Sequence, residues 1–407
     1  MSTRLELSPE RAQALAERHG TPFYVYDLDV LRARVGRARA LNATLLYAVK
    51  ANPNLEVLRA LRGAVDGLDV ASLGELERAL ACGWAPEQLS FAGPGKTPLE
   101  LAEAVARGVL VSVESLRELE DLAALAATHS RRARIRLRLN PSLRVQAYRV
   151  AMTGGPSPFG IDEEELPLAA AALRRHAQVL DFDGLHVHPG GQCTSVGGFG
   201  TAVAATLDLT ERLHREHGLV ARRVNFGGGF GVLGDGQELD VEAAGQRLEA
   251  MLTRYRAATG QALEAVLELG RWLVAPAGLY VARVVSEKRS RGTHFTVLDG
   301  GLNHHLGATG LLGPRLPLIN LSRPAAPRVT RSVVGPLCTP LDTLGLDVEL
   351  PEPRVGDLLA VVNSGAYGYS FSPLHFLGHA LPAEVLIAGD RDEPRPPGAP
   401  PRSPAAS

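Results

Sequence analysis

Short apolar runs alternate with longer amphipathic stretches in a regular count along most of this chain. Runs at 44–49, 67–71, 89–92, 109–113, 133–139, 182–188, 222–226 and 265–269 read as strands. Between them, 54–62, 73–82, 97–107, 115–127, 163–177, 199–217 and 241–258 carry apolar residues at helical spacing. Strands separated by helices in this number, over about 225 residues, are what a (β/α)8 TIM barrel requires, whereas a doubly wound sheet usually stops at fewer strands. After residue 275 the rhythm becomes β-rich, at 279–287, 294–299, 328–334, 357–363 and 383–388. The expected architecture is α/β: a barrel over 27–275 and an antiparallel β domain built from 1–26 and 276–388. The Pro- and Arg-rich stretch 389–407 reads as a disordered tail, and 312–328, with four prolines, as a long mobile loop.

Composition narrows the class without naming a function. The chain has 407 residues, 45% hydrophobic, with a formal net charge of −1, enough to bury a large core in more than one domain. No apolar run reaches the roughly 18 residues of a membrane span, and the N-terminus lacks the apolar stretch of a signal peptide, so the expected location is cytoplasmic. Near-neutral charge without a basic block leaves no footprint for nucleic acid. Cys82, Cys193 and Cys338 are odd in number and widely spaced, which argues against a disulfide framework or a structural zinc site, and no metal is expected. The partner is a small molecule or something that carries one.

Polar residues fall repeatedly where the barrel strands end, which is where such barrels gather their chemistry. Lys50 closes the first run, Asp69 lies in the second, Arg138 in the fifth, His186 and His188 at the sixth, Gly227-Gly228-Gly229 after the seventh, and Glu268 with Gly270-Arg271 at the eighth. Each has an ordinary structural alternative: a strand-end lysine can snorkel, a glycine run can be a tight turn, a single histidine can be a satisfied core residue. Lys50 is one of three lysines in a chain with forty arginines, which suggests an amine that must lose its proton, the property Schiff-base chemistry needs. The glycine run does not fit GxGxxG, so a nicotinamide cofactor is not implied. A reactive lysine with a glycine-rich phosphate cradle implies pyridoxal 5'-phosphate.

The motifs YAVKAN (Tyr47–Asn52), DVAS (Asp69–Ser72), HVHPGGQ (His186–Gln192), NFGGGFG (Asn225–Gly231), ELGR (Glu268–Arg271), GPLCTPLD (Gly335–Asp342) and GAYG (Gly365–Gly368) resemble the fold-type III pyridoxal-phosphate decarboxylases. This is the family of diaminopimelate and ornithine decarboxylases. The resemblance spans about 20–390 and implies an α-decarboxylase in which Lys50 carries the cofactor as an aldimine and a carbanion follows loss of carbon dioxide. It implies further that His188 stacks on the cofactor ring and Glu268 pairs with its nitrogen. The triglycine, Arg271 and Tyr367 hold the phosphate. Asp69, Arg138 and Gly270 complete the cofactor site. Cys338 enters the partner subunit's site of a homodimer and protonates the product carbanion, with Thr339 and Asp342 at the substrate.

Departures from the family pattern concern the substrate's far end. Diaminopimelate decarboxylases follow the cysteine with glutamate and ornithine decarboxylases with aspartate, each meeting a distal ammonium; here the residue is Thr339. The serine usual in HxGSQ is Gly191, which removes a hydroxyl from the phosphate site. These replacements resemble a branch that serves siderophore, exopolysaccharide or acyl-carrier-protein pathways. The expected substrate is an L-amino acid conjugated at its distal end or tethered to a carrier protein. The alternatives are a conventional diaminopimelate, ornithine or lysine decarboxylase, or a non-catalytic pyridoxal-phosphate carrier.

Overall fold

A computed structural model describes residues 3–234, 236–389 and 391–392. The chain divides into two compact units, one of Arg32–Ala275 and one that joins the N-terminal segment through Leu31 to the chain from Pro276 onward.

The first unit is a closed barrel. Its strands are Thr44–Ala48, Gly67–Val70, Leu89–Phe91, Leu110–Val113, Ala133–Asn140, Leu180–His186, Arg223–Gly228 and Glu264–Leu269, hereafter the first to eighth. Each pairs in parallel with its neighbour, and the first pairs with the eighth, so the sheet has no free edge. Strands covered on both faces must be apolar on both, so Leu45, Tyr47, Leu137, Leu185, Val266 and Leu267 are all buried. The intervening helices start on side-chain caps: Ser72 accepts the N–H of Glu75, Ser115 that of Glu118, and Thr97 forms a capping box with Glu100. No helix among the described residues is long and apolar enough to cross a membrane.

The sixth strand ends at His186, not at residue 188. His188 lies two residues beyond, in the segment that leads through Pro189 into a short pairing of Gly190–Gly191 with Val150–Ala151.

In the second unit, Phe23–Asp27 lies between Gly278–Ser290, to which it is antiparallel, and Ala383–Ala388, to which it is parallel. The sheet continues through Thr293–Leu298, Arg328–Val334 and Thr343–Pro351. It is antiparallel apart from two parallel pairings, of Phe23–Asp27 with Ala383–Ala388 and of Phe295–Val297 with Ser332–Val334. Two expectations need correction. The segment 312–328 is not a plain loop, because Leu318–Asn320 pairs with Leu359–Val361. The expected tail is not wholly without structure, because Arg391–Asp392 pairs with Ala388 and Ile387; residues 390 and 393–407 lie outside the described residues.

Candidate active site

The YAVKAN segment folds into a tight turn. The Tyr47 hydroxyl donates to the carbonyl of Asn52 at 2.9 Å, and Asn52 N–H returns to Val49 at 3.0 Å. Lys50 is thereby held in the single turn Val49–Ala51 immediately after the first strand, exposed while its neighbours are buried. Its charge acts on Asp69, His188 and Glu268, so the four groups share one electrostatic neighbourhood.

Glu268 is the centre of that neighbourhood. It is buried, and its carboxylate accepts from the Asn225 amide and lies 3.4 Å from His186 Nε2. Burial pushes its carboxyl up, but His186, His188 and Lys50 together pull it further down, and it is held well below the usual carboxylate range. Asp69 moves the opposite way. Burial and the negative charge of Glu268 push it well up against the pull of Lys50, and its Oδ1 has no hydrogen-bond partner. Burial and their neighbours thus move the two carboxyls in opposite directions.

Burial lowers His186 despite Glu268, and burial, then Lys50 and Arg138, lower His188 well below the ordinary value. Ser112 Oγ sits 3.2 Å from His186 Nδ1, which leaves Nε2 to face Glu268. His188 Nδ1 accepts the N–H of Gly228 at 3.4 Å. One donor atom from each of His186, His188 and Glu268 lies within 4.8 Å of the others, a trio that could also hold a divalent ion.

The glycine loop after the seventh strand needs glycine for two reasons. Gly227 and Gly229 have φ of 68° and 74°, in the left-handed region. A side chain on Gly228 would overlap the carbonyl of Glu268, and one on Gly229 the carbonyl of Gly190. Asn225 Oδ1 takes the N–H of Gly227 at 2.9 Å, so one amide side chain fixes both the start of this loop and the Glu268 carboxylate. Arg138 forms a buried ion pair with Glu114 at 2.7 Å, its guanidinium 5.1 Å from the Phe159 ring. Sequence reasoning gave no role to Asn225, Ser112 or Glu114. Asn225 stood in a quoted motif, and the other two carried no local signal.

The remaining expected residues lie in the second unit. Cys338 is exposed, at the tip of a loop whose base is Gly335–Asp342, and Pro340 and Leu341 are exposed beside it. Thr339 Oγ1 accepts the N–H of Leu341 at 3.3 Å. Tyr367 has φ of 53° and packs edge-on against Phe371, ring centroids 6.2 Å apart. Asp342 is buried, and its carboxylate accepts backbone N–H groups from Leu302 at 2.6 Å and Leu337 at 2.8 Å, which shapes the loop. Cys82 and Cys193 are buried, each thiol 3.4 Å from a backbone carbonyl, and burial raises both.

A strand-end lysine, a buried carboxylate, two histidines and a glycine loop gather on one barrel. The donor set fits pyridoxal phosphate: an amine for its aldehyde, a carboxylate for its ring nitrogen, and backbone N–H groups for its phosphate. The family described as "Pyridoxal-dependent decarboxylase, pyridoxal binding domain" matches residues 29–275. The chain is 36% identical over 397 residues to the L-glutamyl-(BtrI acyl-carrier protein) decarboxylase of Niallia circulans, covering 94% of this chain and 92% of that protein. It is 35% identical to the diaminopimelate decarboxylase of Deinococcus radiodurans, covering 95% of each. The crystal structure of diaminopimelate decarboxylase from M. jannaschii in complex with L-lysine is similar with a TM-score of 0.86 and 27% identity, covering 93% of this chain and 89% of that one. The chain belongs to the pyridoxal-dependent decarboxylases, and it is an enzyme that uses pyridoxal phosphate to decarboxylate an amino-acid substrate.

Proposed function

We propose that this enzyme removes the α-carboxyl group of an L-amino acid whose distal end is conjugated or tethered to a carrier protein, in a homodimer with shared sites. The observation that carries this reading is Thr339, which stands next to Cys338 where the family's free-diamino-acid enzymes place a carboxylate. A buried carboxylate rejects substrates that leave it unpaired, and a threonine with its hydroxyl engaged by Leu341 imposes no such demand. The likeness to a decarboxylase whose name specifies a carrier-bound glutamyl group supports it.

Pyridoxal phosphate supplies the conjugated electron sink that makes loss of carbon dioxide from Cα feasible. Lys50 would hold the cofactor covalently. Glu268, held low by His186, His188 and Lys50, would keep the ring nitrogen protonated. His188, fixed by the Gly228 N–H, would offer its ring face to the cofactor. The backbone N–H groups of Gly227–Gly229, with Gly270 and Arg271, would take the phosphate. Asp69, whose carboxyl burial and Glu268 push up, and Arg138, held by Glu114, would line the site beside Lys50. As the bond from Cα to the carboxyl carbon breaks, its electron pair stays with Cα. Cys338, presented by the partner subunit, delivers the proton there, and solvent restores the thiol. A non-catalytic carrier of the cofactor would have no use for the exposed Cys338 loop.

The test is carbon dioxide release from a panel of free amino acids and their distally amidated, citryl-linked and carrier-thioester forms. The proposal expects the conjugated forms to be turned over best; a free diamino acid used as well as any conjugate contradicts it.

A further inference from the structure

Arg34 is 1% exposed, a guanidinium taken almost wholly out of water on the helix Leu28–Ala38. Its Nε and Nη2 donate to the carbonyl of Trp272 at 3.0 and 2.7 Å, and Nη1 pairs with Glu238 Oε2 at 2.6 Å. Its carbon lies 3.7 Å from the centroid of the Trp272 ring. These two partners belong to different loops. Trp272 follows Arg271 directly, after the eighth strand. Glu238 closes the turn that begins at Gly229-Phe230-Gly231 after the seventh, where residue 232 bridges 238 and Leu239 N–H reaches Gly231 at 3.3 Å. The ladder between the seventh and eighth strands ends at the pair Gly228 and Glu268. Beyond that pair, Arg34 continues the connection with a forked, stacked, charge-assisted set of bonds that a lysine cannot reproduce.

We infer that Arg34 is a positioning residue that clamps the two phosphate-binding loops in register without touching the phosphate. The inference rests on the assignment of those loops to the cofactor's phosphate. Backbone donors work only when pre-placed, so loosening their support weakens the interaction with the phosphate selectively. A purely structural arginine would instead weaken every ligand of the site alike.

The experiment measures dissociation constants of pyridoxal phosphate and of pyridoxal, which lacks the phosphate, after the cofactor has been resolved from purified full-length enzyme. It compares wild type with Arg34→Lys, Arg34→Met, Arg37→Ala and Arg271→Gln. In the Arg34 variants, affinity for pyridoxal phosphate falls about tenfold or more while that for pyridoxal moves less than about twofold. Arg37→Ala removes the second partner of Glu238, at 2.7 Å, but leaves the Trp272 bonds, and it shifts neither ligand strongly. If the Arg34 variants do not fold, Glu238→Gln reads the same link from the loop side and must show the same selectivity. Equal loss of both ligands, or no loss, overturns the clamp. If Arg271→Gln spares the preference for the phosphorylated ligand as well, the phosphate assignment itself falls; if it abolishes the preference and Arg34→Lys does not, the clamp alone falls.

Discussion

The Asp342 carboxylate accepts the backbone N–H of Leu337 at 2.8 Å on one oxygen, and on the other it takes that of Leu302 at 2.6 Å. Gly301 and Gly335 leave the room it occupies, since a side chain on either would overlap it. The loop that presents Cys338 is therefore stapled at its base by a side chain that never reaches the tip. Asp342→Ala leaves two buried donors unpaired, at about 1–3 kcal/mol each. It should lower kcat about tenfold or more by releasing the thiol, with cofactor loading unchanged. Steady-state kinetics beside the cofactor's absorbance check this, and wild-type kcat in the variant would refute it.

Lys50 should be the sole site of cofactor attachment. The Lys96 amine is committed to Glu118 at 2.8 Å and to the carbonyls of Gly93 and Ser112, with a side chain 1% exposed. Lys288 stands on the strand Gly278–Ser290 of the other unit. Borohydride reduction and peptide mapping should place the pyridoxyl group on Lys50; an adduct on either other lysine would sink the assignment.

Sharing of sites predicts complementation. Lys50→Ala and Cys338→Ala homodimers should each be strongly impaired. Random exchange makes half the dimers mixed, each with one intact site, so about a quarter of wild-type activity should return. No recovery under demonstrated exchange excludes the shared site.

Stability should fall on the acid side in a way traceable to His304. Burial lowers this ring from 6.5 to about 4, and it is satisfied as a neutral group by the Ala380 carbonyl at 3.0 Å and the Tyr280 hydroxyl at 3.3 Å. Below its ordinary value the unfolded chain binds a proton that the folded chain refuses, so stability drops as pH falls from 6.5 towards 4. His304→Gln removes this contribution and should shrink the fall in Tm between pH 7 and pH 5. Parallel Tm curves for variant and wild type would count against it.

The barrel was legible because parallel strands covered on both faces read as apolar runs, and Lys50 and Glu268 were legible because strand ends are where polar residues interrupt them. The strand Thr343–Pro351 was missed although Leu344, Leu346, Val348 and Leu350 alternate with Gly345, Asp347 and Glu349, the period-2 pattern of an edge strand with one solvated face. The supports of the site were not legible at all. Ser112 meets His186 across 74 residues and Asn225 meets Glu268 across 43, contacts that only closure of the barrel creates. The bond from Leu302 to Asp342, 40 residues away, was not legible for the same reason.

The central claim is that Thr339 marks an enzyme for a distally masked substrate. It is tested most directly by the ratio of kcat/KM on a carrier-thioester or amide-conjugated amino acid to that on free diaminopimelate, in wild type and in Thr339→Glu. Wild type should favour the conjugate. The glutamate should penalise a neutral distal group and welcome an ammonium, moving the ratio about tenfold or more towards the free diamino acid. A wild-type ratio near unity, or one that Thr339→Glu leaves in place, would contradict the account.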